Sequence, residues 1–250
     1  RYELQVLLAL GKISDTSDPL RSMVRTLPAS EQEGFILALP ALFQRTQQPA
    51  ETSQAVEQAL QDVLVDSGQP GLAAAAWTTI GRMRLANGDS AGALSAATLG
   101  QNADPSSRWP IILALQLLTT ANEARAEALV HQHLARRDAT PEVRIAYARA
   151  LLELGRMADA MQQIDDLTRP GSEHVEALLL KGLILTDRRE DQAAEETLLH
   201  YLALTETVDD TEQAEVPDHE PGRGQAYLNL ARLAEQQGRD EQAEAWLQQV

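Results

Sequence analysis

The sequence contains no cysteine in 250 residues. Disulfides, zinc–thiolate sites and cysteine nucleophiles are therefore excluded. Aromatic residues make up only 4% of it, too few for a core built on stacked rings. Lysine is nearly absent: Lys12 and Lys181 are the only two. Basic residues total 21 against 37 acidic ones, giving a formal charge of −16 and a pI near 4.7. Neutralising nucleic-acid phosphates requires the opposite balance, as does adhesion to an anionic lipid surface. No nucleic-acid partner is expected, and the acid excess favours solubility and basic partners. No run reaches the roughly 18 apolar residues of a membrane-crossing helix. Even the stretch Ile111–Leu118 is broken by Gln116, so direct membrane insertion is not expected. Also missing are a Walker phosphate loop, a GxGxxG turn, a His-Glu-x-x-His pair and a Gly-x-Ser-x-Gly elbow. The motifs thus point to no catalytic residue, no cofactor and no metal, and no enzyme is expected. The chain begins at Arg1 rather than Met, as a processed or trimmed piece would; a leader removed upstream is compatible with that start.

What the chain does have is alanine and leucine, both strong helix formers, within a hydrophobic content of 44%. Valine and isoleucine are too scattered to supply a sheet. The clearest pattern lies between Trp77 and Pro105. One helix carries Trp77, Ile80 and Gly81, a turn follows at Asn87-Gly88-Asp89, and a second helix carries Ala93 and Ala97. Asp104-Pro105 closes the unit. This stretch resembles the tetratricopeptide repeat, a helix–turn–helix of 34 residues. Aligned on it, units begin at Ala74, Trp109, Pro141, Val175 and Gly224, with spacings of 35, 32, 34 and 49 residues. The last spacing is one repeat plus an insertion. A small residue is expected where the two helices of a unit touch. On the second helix it is Ala93, Ala128, Ala160, Ala194 and Ala243. On the first it is Gly81, Ala148, Gly182 and Ala231, with Gln116 breaking the pattern in the second unit. Gly88, Gly155 and Gly238 fall just past first-helix ends, where a left-handed conformation costs glycine nothing. Glu123 and Arg189 stand there in the other two units, which predicts a different turn.

The resemblance implies an all-α fold, a right-handed α-α superhelix built as a solenoid of antiparallel helix pairs. Residues 71–250 are expected to hold about five repeats, and residues 1–70 a degenerate, TPR-like helical region. Within the latter, Tyr2–Ile13 reads as an apolar helix, Asp18-Pro19 begins a short one ending near Leu27-Pro28, and 30–47 with 51–66 form a hairpin. Its small residue would be Ala55, and its first helix contains Pro40, which removes a hydrogen bond. Asp89-Ser90, Thr140 and Ser172 are expected helix caps. The insertion, residues 205–223, is rich in Asp and Glu, has two prolines and lacks an apolar period, so a flexible acidic loop is expected.

Other residues invite a ligand reading. His131 and His133 are two apart on a helix and so do not share a face; a packing or solvent role is favoured over metal binding. Asp218-His219-Glu220 reads as a solvated charge run in the acidic loop. Trp77 is expected in the core, Trp109 as a staple at a helix entry, and the last-helix face of Ala243, Trp246, Leu247 and Val250 under a following element or another copy.

In tetratricopeptide-repeat proteins the ligand usually lies along the face lined by first helices. Carried over position by position, the resemblance places there Thr78 and Arg82, Leu113 and Leu117, Ile145 and Arg149, Leu179 and Leu183, and Leu228 and Arg232. Each pair is four apart, hence on one helical face. Such a surface, greasy with three arginines, would hold an extended or helical peptide and meet its carboxylates. The competing reading is that the arginines only pair with neighbouring acids such as Glu153 or Glu235. The carboxylate clamp used by chaperone-binding members is absent as a set. The expected function is therefore a non-enzymatic scaffold or adaptor for a protein or peptide partner. The alternatives are a regulatory or assembly segment of a longer enzyme or envelope protein, and a module that self-associates into a homo-oligomer through its C-terminal face. The arginine- and alanine-rich, lysine-poor composition points to a high-GC bacterium, with periplasmic or envelope placement favoured over cytoplasmic.

Overall fold

A computed structural model describes residues 17–44, 56–62, 64, 68–169, 171, 174–209 and 220–250. The expected helix at Tyr2–Ile13, the Ala55 position, the Ser172 cap and residues 210–219 of the insertion lie outside the described residues. Among those described, the chain is all α, with no strand. It forms two compact units, Arg1–Val143 and Arg144–Val250.

The first unit opens with α1 (Ser17–Thr26) and α2 (Ala29–Gln44), the latter with Pro40 inside it. A helical segment at 56–62 follows, then α3 (Pro70–Ala86), α4 (Ser90–Ala103), α5 (Trp109–Thr120) and α6 (Ala126–Leu134). Leu20, Val24, Phe35, Ile36, Leu39, Val56 and Leu60 form one core with Leu72, Ala76, Ile80 and Met83 of α3 and Ala96 of α4. The threonine hydroxyl of Thr79 also donates to the Ile36 carbonyl, at 3.0 Å. Helix α7 (Pro141–Glu153) straddles the division between the units. The second unit then contains α8 (Met157–Asp165) with a 3₁₀ turn at Asp166–Thr168, α9 (Val175–Asp187), α10 (Asp191–Asp209), α11 (Glu220–Gln236) and α12 (Asp240–Leu247).

Small residues let paired helices approach closely. A Cβ on Gly81 would sit 2.2 Å from Leu113 Cδ2 and 3.2 Å from the Ala96 Cβ; one on Gly182 would meet Leu198 Cδ2 at 2.5 Å. Ala93, Ala148, Ala160, Ala194, Ala231 and Ala243 are all buried, as their register requires. The second unit of the alignment departs from it. Ala128 is exposed, and Ala126, Leu129, Val130 and His133 form the buried stripe of α6. Gln116 is exposed as well, while Leu113, Ala114 and Leu117 are buried. The register there is shifted two residues toward the N-terminus in both helices, with Ala114 and Ala126 buried at the places expected for Gln116 and Ala128.

The turns inside the aligned pairs share one closure in four of five cases. After α3, α7 and α11, Gly88, Gly155 and Gly238 take positive φ (81°, 72° and 70°). Each makes the same double closure, for example Gly88 N–H to the Leu85 carbonyl and Asp89 N–H to the Arg84 carbonyl, both 2.9 Å. This is the Schellman pattern. Arg189 adopts it too, with φ 61° and Glu190 N–H bonding the Leu185 carbonyl at 3.0 Å. The different turn expected at Arg189 is thus corrected: an arginine accepts the left-handed conformation there. Among the turns inside the five aligned units, the α5–α6 connection differs. Asn122 is left-handed (φ 51°), Glu123 N–H reaches back to the Leu117 carbonyl, and Arg125 forks onto Glu123 at 2.8 Å. That pairing holds the Glu123 carboxyl down to about 2.

Helix ends follow local signals. Asp89 caps α4, its carboxylate accepting from Gly92 N–H at 2.8 Å. Helix α10 extends to Asp209 and α11 begins at Glu220, so both helices run into the stretch expected as loop.

Candidate functional site

In the second unit, three successive first helices present one surface. Arg149, Leu152 and Glu153 of α7, Leu179, Leu180 and Leu183 of α9 and Gln225 of α11 line a recess of about 210 Å³. Three of the positions placed by register, Arg149, Leu179 and Leu183, come together there. Leu152 and Glu153 lie one turn beyond Arg149, Leu180 follows Leu179 and Gln225 lies one turn before Leu228, and taking only one pair per helix left them out. Arg149 is about half exposed and donates to Glu176 Oε1 at 2.7 Å. Its acidic partner is therefore Glu176 rather than Glu153, which lines the same recess. On α11, Leu228 is 48% exposed, and Arg232, one turn on, is exposed without an ion pair among the described residues.

Ile145 of α7 is buried, part of the core rather than the surface. In the first unit Thr78, Leu113 and Leu117 are fully buried. Thr78 gives its hydroxyl proton to the Ala74 carbonyl of its own helix at 2.8 Å. These four are buried, whereas Arg149, Leu183, Leu228 and Arg232 keep accessible surface. Arg82 does stay partly open. Burial pulls its pKa below the ordinary arginine value.

The histidines separate as helix geometry requires. His131 is exposed near Glu127, whereas His133 is 2% exposed. Burial, then the Arg136 charge, lowers the His133 pKa, against the opposing pull of the Pro105 carbonyl and Asp138. Among the described residues no group of three side chains is placed to hold a metal ion. Nor is any helix among them long and apolar enough to cross a membrane. Trp77 is partly buried against the first unit's core. Trp109 opens α5 beneath the Arg108 guanidinium, 4.6 Å from the ring centre. Trp246 stacks on Tyr227, centroids 5.8 Å apart at 26°, and ties α12 to α11.

Stacked helix pairs closed by Schellman turns, with alanine or glycine at their crossings, define a class: an all-α solenoid of helical hairpins. A tetratricopeptide-repeat family model matches residues 148–208 and 212–250 of this chain. Solved structures agree on the fold. A tetratricopeptide repeat protein from Parabacteroides merdae is 16% identical over 87% of this chain and 78% of its own, with a TM-score of 0.52. Pseudomonas aeruginosa pilF is 15% identical over 87% and 89%, with a TM-score of 0.51. A chain of the APC/C hetero-tetramer Cut9–Hcn1 is 15% identical, covering 94% of this chain and 46% of its own, with a TM-score of 0.51. No curated protein sequence matches at a significant level.

Proposed function

We propose that this protein is a non-catalytic scaffold that binds a protein or peptide partner on the face made by its first helices. The observation that carries the reading is the recess between α7, α9 and α11, which joins apolar Leu179, Leu180 and Leu183 to the Arg149 guanidinium. Leucine walls with one cation suit a peptide that inserts an apolar side chain and presents a carboxylate beside it. The Arg149–Glu176 pair does not block this, because both partners are exposed and such pairs contribute little. Arg149 can therefore exchange Glu176 for a partner's acid at small cost. Arg232 and Leu228 extend the same chemistry along α11. The overall acidity counts against nucleic acid and lipid as partners. A bacterial source with periplasmic placement remains the favoured setting on composition.

Co-purification tests the reading. Arg149→Glu and Leu183→Glu should each lose the partner that the unaltered protein retains, with helicity unchanged by circular dichroism. Arg188→Glu, at an exposed turn position, should keep it. Retention in all three would move binding off the first-helix face.

A further inference from the structure

We propose that the outer face of α4 is the surface on which two copies of this chain meet. Helix α4 has no charged residue among its 14, in a chain that is 23% charged. Helix α5 is uncharged as well, but it is packed between its neighbours and fully exposes only Gln116 and Thr120. On α4, Ala91, Ser95, Leu99 and Asn102 are exposed. Their spacing puts them on one face. Leu99 is 43% exposed, a large apolar side chain standing in water. The adjoining α6 exposes His131 and Gln132 but no acid, since Glu127 is partly buried. The α4 face can also be dehydrated without loss. Ser95 and Thr98 donate their hydroxyl protons to the Ala91 and Leu94 carbonyls of their own helix, at 3.0 and 2.9 Å. Covering them strands no donor.

Charge selects the occupant. Each copy carries −16, so two copies repel except where they touch without carboxylates. A basic partner would instead gain at acidic surface. The second helices of the second unit offer it: Asp165 on α8, Glu196 on α10, Glu241 and Glu244 on α12 are all exposed. A second copy seated on α12, beside exposed Leu247, would set Glu241 and Glu244 near their counterparts. One seated on α4 meets no carboxylate of that helix. Self-association is thus assigned to α4 rather than to the C-terminal face. A two-fold axis near Ser95 makes the contact isologous, with Leu99 over Ala91 of the partner subunit and the reverse. One helix face is less than a standard interface, so the dimer is weak, with a Kd of about 10–100 μM. The contact shares no residue with the recess of the second unit and does not rest on the reading proposed for it.

Sedimentation equilibrium of the full chain tests this. From about 5 to about 500 μM, the mean mass should rise from 27.3 kDa toward twice that value. Leu99→Glu adds a carboxylate at an exposed position and should weaken association about ten-fold or more, with helicity unchanged. Leu247→Glu and Arg149→Glu should leave association intact. Raising salt from about 0.05 to about 0.5 M should keep the dimer or tighten it, because screening relieves the mutual repulsion. A chemical arm uses the absence of cysteine. Ser95→Cys supplies a single thiol, and diamide should join two copies through it, since a close crossing brings the Cα atoms within about 7 Å. Leu199→Cys, on α10, should not link under the same conditions. A monomer throughout the range would overturn the inference, as would equal linking at 95 and 199. So would a dimer that Leu99→Glu leaves unmoved, or one that salt or Leu247→Glu dissolves.

Discussion

Arg189 occupies a left-handed position that three other turns give to glycine. The conformation costs a side-chain-bearing residue about 1 kcal/mol or more. Arg189→Gly should therefore stabilise the protein by about 0.5–1 kcal/mol, net of glycine's own entropy and of the exposed bond to Gln236. Urea denaturation measures it, and a lower midpoint would show that the Gln236 bond outweighs the strain. Gly81 runs the opposite way. Alanine there gains about 1 kcal/mol of helix propensity, but its Cβ meets Leu113 and Ala96, and overpacking costs about 1–3 kcal/mol. Gly81→Ala should lose about 1 kcal/mol net by the same assay. His133 sets a pH dependence. Its folded pKa lies below the ordinary value near 6.5, so the unfolded chain binds the proton first. Stability should be full above about pH 6.5 and fall as pH drops from there toward the folded pKa. His133→Gln should flatten that slope, read as the urea midpoint at several pH values.

At the scale of the helix, α6 tests the register. Ala126 is buried and Ala128 is exposed. Ala126→Leu should cost about 1–3 kcal/mol by overpacking, whereas Ala128→Leu should change stability by no more than about 0.5 kcal/mol. The reverse order would restore the register implied by the repeat period. The same helix shows where a one-dimensional reading stops. Gly81, Ala160, Gly182 and Ala243 were legible because a small residue recurs where helices touch. Ala126 was not, since the whole second unit sits two residues earlier than its assigned start at Trp109: Ala114 and Ala126 are buried, and Gln116 and Ala128 are exposed. Helix faces were only partly legible for a related reason. Positions four apart share a face, but whether that face meets solvent or the next helix depends on packing. Thr78, Leu113, Leu117 and Ile145 are buried, while Arg149, Leu183, Leu228 and Arg232 keep accessible surface.

At the scale of the molecule, the proposed role is that the first-helix face of the second unit holds a protein. A photo-crosslinking amino acid at Gln225, in the recess, and another at Leu199, exposed on second helix α10, test that claim directly in the cell of origin. Capture of one discrete partner from position 225, absent at 199 and lost when Arg149→Glu is added, is the predicted result. A partner captured from 199 and not from 225 would contradict it.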